Sequence, residues 1–398
     1  MKNRMPSVWL LIFIIGLPIF SETAYSTALV DIAKALSTSE NMVEHTLSTY
    51  LFGFALGTLI WGNLSDKIGR KPCLLGGYSI YILACLCCYF SPTIEILLLS
   101  RFIQAFGGSV GSVIGLAICR DSFTDYNKGK IFSTITSTVA FVPALGPIIG
   151  GWVARSFGWP AIFLLLLMIG LAIFCISCLQ LPETYKPTLA RNTFWNNLRR
   201  MLRDPKLMAF CCMVAGCNGI MFSYFSEGAF YCIDYLNTSE KTFSYTFLGI
   251  AFSAFLGGRL SRWLHNWNTS FTLLKKGAYT TCLGTMLFSG VAIGTLFLPV
   301  SSALHLTFYM ITLCITLFGI GLMIPNVLNI ALEDYQDNIG TASAIFGCGY
   351  YLLITLLIFI LATLHNDTIF PLPFYQFCIA MGMVLIITLS TFKPTIQT

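Results

Sequence analysis

Four stretches of this chain, Leu10–Phe20, Leu74–Phe90, Ile162–Leu179 and Leu352–Leu364, contain no charged residue. Their neighbours extend them toward the roughly 20 residues that a helix needs to cross a bilayer. Charged residues make up 10% of the chain, against about 25% in a soluble protein. So most of the surface must face something other than water, and a soluble fold is excluded. The expected class is an all-α polytopic membrane protein. Twelve apolar spans are read at 7–33, 45–64, 73–91, 95–118, 131–154, 160–181, 207–231, 243–264, 276–298, 303–330, 341–364 and 371–392.

The opening "MKNRMPSVWLLIFIIGLPIF" has the basic start of a signal peptide. It lacks a small-x-small cleavage site, and its apolar stretch runs on past Glu22. It is read as a retained first helix. Most of the fifteen cysteines lie inside apolar spans, where cysteine acts as a small hydrophobe. Cys175 and Cys178 share the C-x-x-C spacing but lie in such a span, so they are read as filler.

The long polar stretch 182–206 splits the chain into a first bundle, 1–181, and a second, 207–398, of six spans each. With twelve spans both termini share a side. Nineteen of the 23 Lys and Arg residues collect there; Lys34, Arg155 and Lys241 lie opposite, and Arg101 lies inside a span. By the positive-inside rule the termini and central loop are cytoplasmic. The net charge of +6 expresses this bias, with no nucleic-acid partner implied. A shift of 196 residues lays Gly53–Ser65 on Gly249–Ser261 with five of thirteen positions matching, and lays Asp31 on Glu227. Two six-helix repeats suit a transporter, with its site expected between them near the midplane.

Against this apolar background "GNLSDKIGRKP", Gly62 to Pro72, concentrates Asp66, Lys67, Arg70 and Lys71 between spans two and three. Gly62 and Gly69 would permit tight turns and close helix approach. The charges either anchor topology or form a cytoplasmic latch, with Arg120 and Asp121 joining Asp66. Glu333, Asp334 and Asp337 form an acidic loop, either paired with a basic loop of the other half or solvated.

The charged stretch resembles the loop signature of the major facilitator superfamily. "RFIQAFGGSVG" (Arg101–Gly111) is similar to its fourth-helix motif, and "PALGPIIGG" (Pro143–Gly151) to the fifth-helix motif of its drug/proton antiporters. "LPET" (Leu181–Thr184) closes the sixth span as in many members of that superfamily, and "IPNVLNIALE" and "GTASAIFG" resemble its Bcr/CflA drug-resistance group. Two departures bear on substrate. Val142 stands where the antiporter motif has glycine. "ETAYSTALV" places Glu22 one position before the usual aspartate and lacks the prolines that commonly follow it. The resemblance implies the major facilitator fold, a monomer in a bacterial inner membrane, and a fifth-helix kink built on Pro143, Gly146, Pro147, Gly150 and Gly151 that biases the carrier toward export. Plain helix packing is the other reading of those five residues.

Charge inside a bilayer is costly and marks function. Glu22, Asp31 and Arg101 are the candidates for proton coupling, and Glu22, Tyr25, Asn218, Tyr224, Glu227 and Asn326 for the substrate pocket. A carboxyl in a low-dielectric cavity holds its proton more tightly and a nearby cation loosens it, which would let proton affinity change as helices move. Arg101 would be the electrostatic partner of Glu22 or a binder of backbone carbonyls. Alternatively Glu22 is satisfied by neighbouring hydroxyls such as Thr23 and Ser26, and Asp31 and Glu227 by interfacial water.

The expected function is proton-coupled antiport of drugs or other small amphipathic or cationic compounds, one half rocking against the other. The partners are then protons, a small-molecule substrate and the lipid bilayer. No metal or cofactor is expected, the proton gradient being the drive. Transport of one metabolite (a siderophore, sugar or amino acid) is the alternative. No Walker, HExxH or G-x-S-x-G motif supports an enzyme, and the four histidines are scattered near span edges. A receptor would need a larger soluble output domain.

Overall fold

The structure, a computed structural model, describes residues 5–123, 131, 134–135, 138–185, 194–297, 301–366 and 368–389, without the side chains of 194–197, 329 and 336–341. Lys2, Arg4, Lys128, Lys130, Lys186, Arg191 and Lys393, which carry part of the charge asymmetry, lie outside the described residues, as does the side chain of Asp337. Described secondary structure is entirely helical, as the bilayer demands of a chain that must satisfy its own backbone. Two compact units form, Met1–Arg191 and Asn192–Thr398.

The first unit holds α1 (Val8–Thr23), a 3-10 turn (Ser26–Ala28), α2 (Leu29–Ala35), α3 (Glu40–Ile68), α4 (Arg70–Tyr89), α5 (Ile94–Ser122), α6 (Val142–Phe157) and α7 (Pro160–Gln180). The second holds α8 (Phe194–Leu202), α9 (Pro205–Ala229) running into a π-helical turn (Phe230–Tyr235), α10 (Glu240–Leu264), α11 (Ser270–Gly294), α12 (Ser302–Ala331), α13 (Ile339–Leu364) and α14 (Pro371–Leu389). Among the described residues, nine helical stretches are long and apolar enough to cross a membrane. The helices α10 and α11 have the length, 25 residues each, but carry charged ends. The stretch 182–206, expected as a loop, contains α8, whose sequence FWNNLRRML is strongly amphipathic.

The repeat is real. From the end of the first span to α4 its register is 200 residues, one helical turn beyond the expected 196. On α5 and α12 it is 212, with Phe106 and Gly107 answering to Phe318 and Gly319. Ser37 and Asn237 both have left-handed φ, 49° and 51°. Each ends a helix and leads into Thr-Ser-Glu, with Glu40 and Glu240 opening the next one. Packing agrees. A Cβ on Gly57 would strike the backbone of Phe106, and one on Gly257 that of Phe318. Gly77 and Gly107 face each other across α4 and α5, and Gly277 and Gly319 do so across α11 and α12. Without hydrophobic drive between helices in lipid, such small residues let backbones approach and gain dispersion contact. The corrected register pairs Asp31 with Tyr231, so Asp31 and Glu227 are not repeat equivalents.

A Cβ at Gly107 would lie 2.6 Å from Tyr81 N, and one at Gly319 2.6 Å from Thr281 N, while one at Gly76 meets nothing within 4 Å. Gly107→Ala and Gly319→Ala should each cost about 1–3 kcal/mol, read as a lower unfolding midpoint in detergent. Gly76→Ala should leave that midpoint unchanged or slightly raised.

Candidate functional site

The first span is not one helix. α1 ends at Thr23, Ala24 and Tyr25 form a turn, and helical structure resumes at Ser26. Pro18 begins the weakening, since it has no N–H for Ile14 O. The Tyr78 hydroxyl donates to that carbonyl instead, at 2.8 Å, and the Tyr50 hydroxyl donates to Pro18 O at 2.7 Å. The break itself is seated by α6. A Cβ on Gly146 would meet Thr23, and one on Gly150 would meet the backbone of Ala24. These two glycines, one turn apart, form a groove for the turn. Pro143 stands in the first turn of α6, while Pro147 and Gly151 are buried. The departure at Val142 is matched on the partner helix: a Cβ added to Gly16 would lie 3.4 Å from Val142 Cγ2.

Glu22 lies in the last turn of α1, 5% exposed, and its Oε1 has no hydrogen-bond partner among the described residues. The neighbouring hydroxyls do not serve it. Thr23 Oγ1 donates to Ile19 O at 3.1 Å and Ser26 Oγ to Thr23 O at 2.9 Å. Arg101, on α5, is fully buried. Its Nη1 donates to Ser21 O at 3.2 Å and to Gln104 Oε1 at 2.5 Å. Its guanidinium carbon lies 4.0 Å from the Tyr25 ring centroid and 4.2 Å from that of Tyr50. Of the two expected roles the structure gives carbonyl binding, and no carboxylate forms an ion pair with Arg101 among the described residues. Ser21 O is one of the last four carbonyls of α1, which have no intrahelical donor. Arg101 therefore places a cation at the negative end of a half-helix. It also acts electrostatically on Glu22, one residue further on. Tyr25 serves as the stacking face, and its hydroxyl accepts from Thr46 Oγ1 at 3.1 Å.

Asp31, in the first turn of α2, is partly exposed and makes no hydrogen bond or ion pair among the described residues. In the second unit Glu227, 2% exposed, has both carboxylate oxygens at hydrogen-bond distance from His365 Nδ1, 2.9 and 3.0 Å. His365 was passed over in the sequence as one of four scattered histidines, although a carboxyl within a span calls for a partner. Interfacial water is thus not what satisfies Glu227. Tyr224 bonds Thr246 and packs at tilted and edge-on angles among Phe243, Phe247 and Tyr309. Asn326 Nδ2 donates to Ser261 Oγ on α10 at 2.8 Å, while Asn218 donates to Val214 O of its own helix at 2.9 Å.

The charged stretch forms a network inside the first unit. Arg70 bonds Asp66 at 2.5 Å, Asp121 at 3.1 Å and Ser65 at 2.6 Å. Glu183, from "LPET", was not foreseen. Its Oε1 accepts from Arg70 N at 3.0 Å and its Oε2 from Lys71 N at 3.1 Å. This puts a carboxylate on the positive end of α4. Gly69 is needed there, with φ 102° and Glu183 against it. Gly62 is not, since a Cβ would sit 3.6 Å from Val113 in ordinary contact. Arg120 is exposed and joins no ion pair among the described residues; the cation that meets Asp66 and Asp121 is Arg70. Asp334 pairs with Lys206, at the start of α9 in its own unit, at 2.7 Å.

Arg101→Lys keeps the charge but loses the flat guanidinium over the Tyr25 and Tyr50 rings and the Nη1 that reaches both Ser21 O and Gln104 Oε1. It should cost roughly 2 kcal/mol from the cation–π and charge-assisted contacts, seen as a lower unfolding midpoint in detergent.

Residues 8–358 match the family model of the Major Facilitator Superfamily. An uncharacterized transporter of Rickettsia bellii is 33% identical over 371 residues, 91% of this chain and 90% of its own length. A bicyclomycin resistance protein homolog of Haemophilus influenzae is 26% identical, covering 98% of this chain and 97% of that one. The solved structure of the E. coli xylose transporter XylE, partially occluded and inward-open, matches over 100% of both chains with a TM-score of 0.74 at 13% identity, a likeness of fold. The chain belongs to the major facilitator superfamily of multi-pass membrane transporters.

Proposed function

We propose that this transporter is a proton-coupled antiporter that exports small amphipathic or cationic compounds by alternating access. The observation that carries the reading is Glu22: a buried carboxyl with an oxygen unmatched among the described residues, beside a helix break and under the field of a buried arginine. A proton and a cationic substrate would compete for that one carboxylate, and competition for a shared site couples the two as exchange in a carrier that reorients only when the carboxylate is occupied. The resistance named for the H. influenzae relative supports export of a drug-like compound. The bias of Lys and Arg supports cytoplasmic termini in a bacterial inner membrane, and the chain is taken to work as a monomer.

The energetics are adequate. For an uncharged substrate, one charge returning through roughly 150 mV releases about 3.5 kcal/mol, which sustains a gradient of roughly 300-fold per proton. Exchange of one proton for one monovalent cation moves no net charge and is driven by the pH difference alone, about 1.4 kcal/mol per unit.

In everted vesicles with an acidified lumen, a panel of lipophilic cations, antibiotics, siderophores and amino acids is added while a pH-sensitive dye is followed. At least one cation or antibiotic should discharge the gradient with the unaltered protein. Glu22→Gln should reduce that discharge at least tenfold at equal protein level. Full discharge by Glu22→Gln would remove the proposed coupling site. Discharge by a siderophore or amino acid alone would move the substrate class to a single metabolite.

A further inference from the structure

From the end of its first span to α11 the second unit repeats the first at a register of 200, yet the two turns that correspond are built from opposite materials. In the first unit the turn between α3 and α4 is neutralised by Asp66, Asp121 and Glu183. In the second, no Asp or Glu occurs between Glu240 and Glu333. The turn between α10 and α11 nevertheless carries four cations: Arg259 and Arg262 in the last two turns of α10, and Lys275 and Lys276 in the second turn of α11. None of the four makes an ion pair among the described residues. Lys275 lies over the Phe271 ring at 4.9 Å, and Lys276 donates to Asn268 Oδ1 at 2.8 Å.

Two tryptophans occupy the same turn. Trp263 and Trp267 are 58% and 65% exposed, with ring centroids 4.7 Å apart. Exposed tryptophan is costly in water and favoured at the headgroup level of a bilayer. The turn joins two helices of membrane-spanning length, so it lies at that level. The start of α11 is there too, capped by Thr269, and adds the positive end of a 25-residue helix.

From this juxtaposition of four unpaired cations, a helix N-terminus and an exposed tryptophan pair, we propose that the α10–α11 turn is a binding site for the phosphate headgroup of an anionic phospholipid. The lipid supplies the negative charge that Asp66, Asp121 and Glu183 supply in the other repeat. The tryptophans pack against its glycerol and upper acyl region, and the cations hold the phosphate. A zwitterionic lipid offers the phosphate but brings its own cation, so the site prefers phosphatidylglycerol to phosphatidylcholine.

The test uses the full chain in detergent, titrated with brominated phosphatidylglycerol or brominated phosphatidylcholine while tryptophan fluorescence is followed. Phosphatidylglycerol should quench at lower concentration, and the preference should shrink as salt rises. Exchanging Arg259, Arg262, Lys275 and Lys276 for Gln should weaken phosphatidylglycerol about fivefold per charge removed. Lys241→Gln, at the far end of α10, should change nothing. Trp263→Phe with Trp267→Phe should remove the lipid-selective part of the quenching. Equal quenching by both lipids, or a preference that survives the fourfold exchange, would overturn the proposal. So would displacement by millimolar inorganic phosphate, which would assign the site to the free anion.

Discussion

A helix that breaks inside a bilayer must give its terminal carbonyls to something other than water, and much of the first unit is arranged around that requirement. The unpaired C=O groups at the end of α1 would cost several kcal/mol each in hydrocarbon. Arg101 meets it at Ser21 O and Ser26 at Thr23 O, while further back Tyr50 and Tyr78 serve the two carbonyls around Pro18. The half-helix end and two tyrosine faces offset part of the cost of burying Arg101, whose Nε and Nη2 have no hydrogen-bond partner among the described residues. Glu22 inherits its position from the same construction: it occupies the turn that the break exposes, beside the cation that stabilises the break. The fifth-helix glycines belong to this arrangement as well, since they seat the turn itself.

What was legible in the sequence was whatever depends on composition along a single segment. The membrane class, the two halves and the importance of Glu22 and Arg101 follow from apolar runs and the rarity of charge within them. What escaped was set by partners distant in the chain. The break at Ala24 lies six residues after Pro18, at a place chosen by the groove on α6. Glu183 reads as the polar end of a span until the N-terminus of α4 is brought to it. His365 is one histidine among four until Glu227 lies beside it. The repeat register was misplaced by a turn because glycine-rich apolar segments match at several shifts. The sharper marker, Thr38-Ser39-Glu40 against Thr238-Ser239-Glu240, was present but short.

The two units solve one packing problem with different electrostatics. Glycine pairs at corresponding places draw α4 to α5 and α11 to α12, so the helix geometry is shared. Polar fittings differ at the turn between α3 and α4 and its counterpart between α10 and α11. At the α3–α4 turn Arg70 pairs with Asp66 and Asp121, whereas at the α10–α11 turn Thr269 caps Thr272 N, a neutral bond in place of charged ones. The first unit keeps its charge in acid–base pairs near α4. The second keeps Glu227 with His365 at one end and Lys206 with Asp334 at the other.

The π-helical turn at Phe230–Tyr235 is wound more loosely than the helix that leads into it. It holds Tyr231 against His305 at 2.8 Å and beside Tyr309. Each residue of an α-helix advances about 100° around the axis, so absorbing the one extra residue would swing everything beyond it through about that angle. Tyr231 would leave His305 and a different side chain would come round in its place. The end of α9 therefore stores a screw motion in its winding: a change of pitch there becomes a change in which face the segment presents, with no hinge and no bend of the axis.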